Sequence, residues 1–164
     1  MRGSLLCLLL IGSLTAARAE KESLTWDSWM GEGKVVIAYG VPETDDVRFS
    51  IACKVSDGMG VLHPGGGDIV GVKKGERVNF TVSGPGGTRS YTAVAQYQDE
   101  LDGPSTFVSV DLVSARDALA PLSKPGTLTI RFPKNSTTMP LGPKAAQALN
   151  TFRSRCPPAK QSSK

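Results

Sequence analysis

Histidine is almost missing from this chain: His63 is the only one in 164 residues. A Ser-His-Asp or Cys-His site would have to use it, and no Gly-x-Ser-x-Gly elbow occurs anywhere. Cysteine is scarce as well, three in all, and no His-Cys cluster offers the ligands of a zinc site. Gly84-Pro85-Gly86-Gly87 lacks the Lys-Ser/Thr that follows a phosphate loop. Only one long apolar run is present, and it covers about ten residues where a bilayer span needs roughly twenty. These gaps point away from metal, nucleotide and His-relay chemistry, so neither a metal nor a cofactor is expected, and the expected protein is not an enzyme.

The apolar run itself reads as an export signal. Arg2 gives a positive start, Leu5 to Leu14 the apolar stretch, and Ala17-Arg18-Ala19 an A-x-A cleavage site before Glu20. Cys7 lies inside the run and not at the cleavage point, which argues against a lipid anchor. The expected layout is a signal peptide over 1–19, one β-rich domain over 20–156 and a disordered tail over 157–164. The expected location is periplasmic or secreted after cleavage following Ala19.

Charge of one sign is also lacking. Removing Arg2 and Arg18 takes Lys plus Arg from 19 to 17 against 15 acids, a net charge of +2. Gly75 and Glu76 interrupt the basic run of Lys73, Lys74 and Arg77, while acids gather at Glu43, Asp45, Asp46 and at Asp99, Glu100, Asp102. A nucleic-acid binder concentrates its basic residues on one face, so no nucleic-acid partner is expected.

What the chain does have is alternation with period two, the mark of half-buried strands. In "VRFSIACKV" the residues Val47, Phe49, Ile51, Cys53 and Val55 share one face. "RVNFTVSG" puts Val78, Phe80 and Val82 inward, and "TLTIRF" does so with Leu128, Ile130 and Phe132. "VVIAYGV" (35–41), "SYTAVAQYQ" (90–98), "STFVSVDLV" (105–113) and a weaker "DIVGV" (68–72) complete the set. Turn residues separate them at Pro42, Asp57-Gly58, Gly75, Ser83 to Gly87 and Gly103-Pro104. The fold class is mainly β: an antiparallel sandwich or small barrel with two short helices. Ser114 is placed to cap the first helix, with Leu119 and Leu122 inward. The second, at the C-terminal end of the domain, opens at Gly142-Pro143 and carries Ala145, Leu149, Phe152 and Cys156 on one stripe.

Beyond the export signal two cysteines remain. Cys53 falls on the inward face of its strand by period two, and Cys156 on the inward stripe of its helix by period 3.6. In an oxidising compartment such a pair is a disulfide.

"LHPGGGDIVG" (62–71) resembles the haem-ligand signature of cytochrome b-five proteins. That family needs a second histidine, and strand patterns flank the motif where helices should stand. His63 is therefore placed in a glycine-rich connection. Asp99, Glu100 and Asp102 lack the alternating spacing of a calcium loop. Trp26 and Trp29 precede the first strand pattern, where they either anchor a ligand or form a flap over the sandwich. Tyr91 and Tyr97 share a face with Ala93 and Ala95, either a shallow groove or the packing of a curved sheet. Asn79 and Asn135 begin Asn-x-Ser/Thr sequons.

Two segments carry a wider resemblance. "WMGEGKVVIAYGVPETDDVRFSIACKV" opens the domain and "LTIRFPKNSTTMPLGPKAAQALNTFRSRC" closes it. This layout, with its paired cysteines, resembles small periplasmic proteins of Gram-negative, especially alphaproteobacterial, envelopes. Size and β-content are also similar to periplasmic lysozyme inhibitors. Their Ser-Gly-x-x-Tyr loop is not matched, because Ser83-Gly84 is followed by a tyrosine only at Tyr91. The expected role is that of an exported binding protein without enzymatic activity, contacting an envelope protein or peptidoglycan-related ligand through loops at 56–67, 83–89 and 99–104, where rigid β scaffolds commonly carry function. Ligand-contact candidates are His63, Trp26, Trp29, Tyr91 and Tyr97. The alternatives are an envelope hydrolase acting through scattered carboxylates and His63, or a lysozyme-inhibitor-like protein.

Overall fold

A computed structural model describes residues 23–65, 72–100 and 103–160. Among the described residues there are eleven strands, nine of which form two antiparallel sheets, open and not closed into a barrel. The first sheet has the order β1 (Thr25–Gly31), β2 (Lys34–Gly40), β3 (Val47–Lys54), β4 (Gly60–His63), β9 (Val110–Leu112). The second has the order β11 (Ser136–Leu141), β10 (Gly126–Arg131), β5 (Arg77–Gly84), β6 (Gly87–Val94). A separate ribbon pairs β7 (Gln96–Glu100) with β8 (Gly103–Phe107). The expected signal peptide lies outside the described residues, as do most of "DIVGV" and residues 161–164. Among the described residues no helix is long and apolar enough to cross a membrane.

The core lies between the sheets. Val35, Ile37, Phe49, Ile51 and Leu62 face it from the first sheet, and Val78, Phe80, Val82, Leu128, Ile130 and Met139 from the second. Of these, Phe49, Ile51, Val78, Phe80, Val82, Leu128 and Ile130 are residues that period two places inward. Their opposites on the second sheet are short and polar: Asn79, Thr81 and Ser83 on β5, Ser90 and Thr92 on β6, Thr129 on β10. β-branched threonine suits a half-solvated pleat.

Several elements depart from the sequence expectation. Trp26 and Trp29 are not in a flap; they sit within β1, which turns into β2 through Glu32 and Gly33, both at positive φ as a two-residue hairpin requires. The 90–98 pattern breaks at Ala95, so Tyr91 and Tyr97 belong to different sheets. The 105–113 pattern likewise divides between β8 and β9. Val55 lies past the end of β3 and is solvent-exposed. The first helix is a 3-10 turn over Asp117–Leu122 with Pro121 inside it; Ser114 Oγ accepts the Asp117 N–H at 3.4 Å, and Leu119 and Leu122 are buried as expected.

The terminal helix α1 (Pro143–Arg155) buries Ala145, Ala148, Leu149 and Phe152. It packs along β1 and β2, with Pro143 in its first turn. Cys156 follows it and is bonded to Cys53, with Cα atoms 5.8 Å apart across 103 positions of sequence. Arg116 secures the same end: its Nε donates to the Cys156 carbonyl at 2.7 Å and its other nitrogen to the Arg153 carbonyl. A cation there also offsets the negative end of the helix dipole.

Residues 157–160 do not form a free tail. The disulfide delivers them to the turn after β3, where the Lys160 N–H donates to the Asp57 carbonyl at 3.1 Å. Gly58 makes that approach possible, since a Cβ there would stand 2.6 Å from the Pro157 oxygen and its φ is +76°.

Candidate functional site

One concavity lies on the outer face of the first sheet, away from the core. Thr25, Asp27 and Trp29 point outward from β1, opposite Gly40, Ala38 and Val36 of β2. An outward alanine on a two-layer fold should be open to solvent, yet Ala38 is only 3 % exposed. Beside it, the connection from β2 to β3 brings Val41, Pro42, Glu43 and Thr44 to line the same cleft. The enclosed cleft has a volume of about 340 Å³. Trp29 and Thr25 wall it, Ala38 and Gly40 form its floor, and Asp27 and Glu43 bring carboxylates to it.

Three local features hold the connection there. First, the β2–β3 register shifts after Tyr39: Tyr39 pairs with Phe49, but Gly40 pairs with Val47, leaving Arg48 unmatched. This is a β-bulge, and bulges re-aim side chains next to functional sites. It turns Val47 out of the core and into the cleft, against the period-two expectation that groups Val47 with Phe49. Second, the connection is closed by its own hydrogen bonds. The Val41 N–H donates to Asp46 O at 3.0 Å, the Thr44 hydroxyl donates to Val41 O at 3.0 Å, and the Arg48 guanidinium grips both Asp46 oxygens at 2.7 and 3.1 Å. Third, the backbone is unusual. Glu43 holds φ +61°, a region L-residues seldom occupy, and a Cβ on Gly40 would stand 2.6 Å from the Asp46 oxygen. These features define the shape of the concavity.

The structure distributes the other candidates widely. Trp26 is buried against Tyr39 and Phe49, with ring centroids 5.3 and 5.7 Å away, and its indole N–H donates to Pro140 O at 2.7 Å. It is a core residue. Trp29, three positions on, is 46 % exposed and forms the cleft wall. His63 ends β4 and pairs with Ser50, so it belongs to a strand and not to the glycine loop. Neighbouring atoms desolvate its imidazole and hold its pKa below the usual 6.5. No hydrogen bond joins His63 to a carboxylate among the described residues.

Tyr91 stacks on Phe80 at 5.4 Å, and burial pushes its phenol above the ordinary range. It adjoins a second, shallower groove of about 360 Å³ rimmed by Asn79, Thr81, Ser90, Thr92 and Arg131. Tyr97 lies on the β7–β8 ribbon with Lys74 Nζ over its ring at 5.8 Å. Among the described residues no cluster of His, Cys, Asp and Glu is arranged to hold a metal ion. Of the three expected contact loops, the turn at 56–59 is occupied by the C-terminal segment and the turn at 84–86 packs against the 3-10 helix.

The cleft residues Asp27, Ala38, Glu43 and Val47 were not legible as a site. Their one trace in the sequence is the acid group Glu43, Asp45, Asp46 after Pro42. Comparison of the chain brings no relative to bear on the cleft: no protein-family model matches it, and no curated protein or solved structure is similar to it.

Proposed function

We propose that this is an exported binding protein of the cell envelope, without enzymatic activity, which seats its ligand in the Trp29 cleft. One observation carries the reading: an outward alanine, Ala38, is buried, and it lines a cleft together with a connection that is hydrogen-bonded to itself and holds Glu43 at positive φ. Backbone strain persists where surrounding structure enforces it, and it gathers at ligand clamps. The disulfide suits an oxidising compartment, and a rigid β scaffold presenting loops suits binding. The ligand is an envelope protein or a peptidoglycan-related fragment.

Native mass spectrometry of the protein purified from an exporting host tests this. A bound mass is expected in the native chain, lost in Trp29→Ala and kept in Val94→Ala, which alters an exposed residue of the second sheet. A bound mass that survives Trp29→Ala contradicts the assignment of the cleft, and so does its absence from the native chain.

The shallower groove favours a second reading, a carbohydrate ligand. Its lining includes the hydroxyl and amide groups of Asn79, Thr81, Ser90 and Thr92, which donate and accept as sugar hydroxyls do. Thr92 Oγ1 already donates to Asn79 Oδ1 at 2.7 Å, fixing both side chains. Retention on insoluble polysaccharide that is lost in Thr81→Val/Thr92→Val, and unaffected by Trp29→Ala, would favour it over the cleft.

A further inference from the structure

We infer that the group anchored in the Trp29 cleft is a cation, an arginine or lysine side chain carried on a partner peptide. This rests on the cleft being the binding seat. The charges around it are unbalanced. Asp27 and Glu43 line the cleft, and no lysine or arginine does. The adjacent Asp46 shows what balance looks like here, since Arg48 takes both its oxygens, and that is the one ion pair among the described residues. Asp27 receives only the N–H of its neighbour Ser28, at 2.7 Å. Glu43 has no hydrogen-bond or ion-pair partner among the described residues. A concave site with apolar walls concentrates the field of such carboxylates.

The remaining lining suits the rest of such a side chain. The Trp29 ring attracts a cation over its face, most strongly among aromatic residues. Ala38, Gly40 and Val47 give an apolar floor for the methylene stem that arginine and lysine bury while keeping the charge at a polar rim. The volume, about 340 Å³, is near the lower end of ligand sites, roughly 300–1,000 Å³. One long side chain fits that space better than a folded segment. A guanidinium would stack on Trp29 while its fork reaches the free Asp27 oxygen, which an ammonium cannot do at once.

The test uses the full exported chain and the emission of Trp29, with Trp29→Phe reporting the buried Trp26 alone. The probes are a blocked Gly-Gly-Arg-Gly-Gly peptide and its citrulline counterpart, which keeps the planar shape and part of the N–H fork but is uncharged, with a carbonyl oxygen in place of one NH2 group. The arginine peptide is expected to shift Trp29 emission saturably, with at least tenfold weaker binding for citrulline and for Asp27→Asn/Glu43→Gln, and progressive weakening with salt. Equal affinity for the two peptides would overturn the cation while leaving the cleft as a seat. No response of Trp29 to either peptide would overturn both. The wild-type comparison of the two peptides stands even if the double variant folds poorly.

Discussion

The indole N–H of Trp26 donates to the carbonyl of Pro140 at 2.7 Å, joining the edge strand of one sheet to the edge strand of the other. The same ring packs on Tyr39 and Phe49, so one side chain closes this seam of the sandwich. Trp26→Phe keeps an aromatic ring but loses the hydrogen bond, and should cost about 1 kcal/mol. Trp26→Ala opens a cavity and should cost about 3–5 kcal/mol. Urea unfolding of both variants measures the two losses, and a smaller loss for alanine than for phenylalanine would contradict the seam.

The last helix is fastened at its far end twice, by Cys53–Cys156 and by Arg116. Closing 103 positions of chain is worth up to about 4–5 kcal/mol on loop entropy. Cys53→Ala/Cys156→Ala should therefore lower stability by several kcal/mol. Arg116→Ala should lower it by about 1–3 kcal/mol through the lost charged hydrogen bonds. Hydrogen exchange should show faster exchange in α1 before the sheets in either variant, and unchanged α1 protection would contradict the clamp.

His63 gives stability a pH dependence of definite sign. Its folded pKa lies below the ordinary 6.5 because burial penalises the imidazolium. The unfolded chain then binds the proton more readily, so this contribution is present above about pH 6.5 and is lost as pH falls through the lower folded value. The native protein should lose stability on going from about pH 7.5 to 5 relative to His63→Gln, measured by thermal melts at each pH. A native protein that gains stability over that range relative to the variant would reverse the sign.

Gly40 should be intolerant of a side chain. A Cβ 2.6 Å from the Asp46 oxygen forces the connection off the sheet, so Gly40→Ala should cost about 1–3 kcal/mol. The same change should move Trp29 emission toward that of exposed indole. An unchanged emission would mean that the connection does not depend on this contact.

Sheet composition was legible in the sequence because burial enforces period two: Phe49, Ile51 and Cys53 face the core as the pattern demands, and so do Phe80 and Val82. The disulfide was legible because two independent periodicities, a strand's and a helix's, aimed Cys53 and Cys156 at one core. Tertiary relations were hidden. The β1 strand carries its large residues on both faces, Trp26 inward and Trp29 outward, so no clean alternation marks it. Ala95 interrupts a run whose pattern continues across two different sheets. At the bulge the pattern misleads, since one unmatched residue, Arg48, reverses the face of Val47. That local rule fails where the cleft is built.

The most direct measurement of the central claim, that the Trp29 cleft is the binding seat, is an amide chemical-shift map of the isotope-labelled exported chain during titration with the blocked arginine peptide. The expected shifts concentrate at Thr25, Asp27, the backbone and indole of Trp29, Ala38, Gly40 and residues 41–47, and leave β5 and β6 unmoved. Shifts gathered around Asn79, Tyr91 and Thr92, or a titration in which the cleft amides stay fixed, would contradict it.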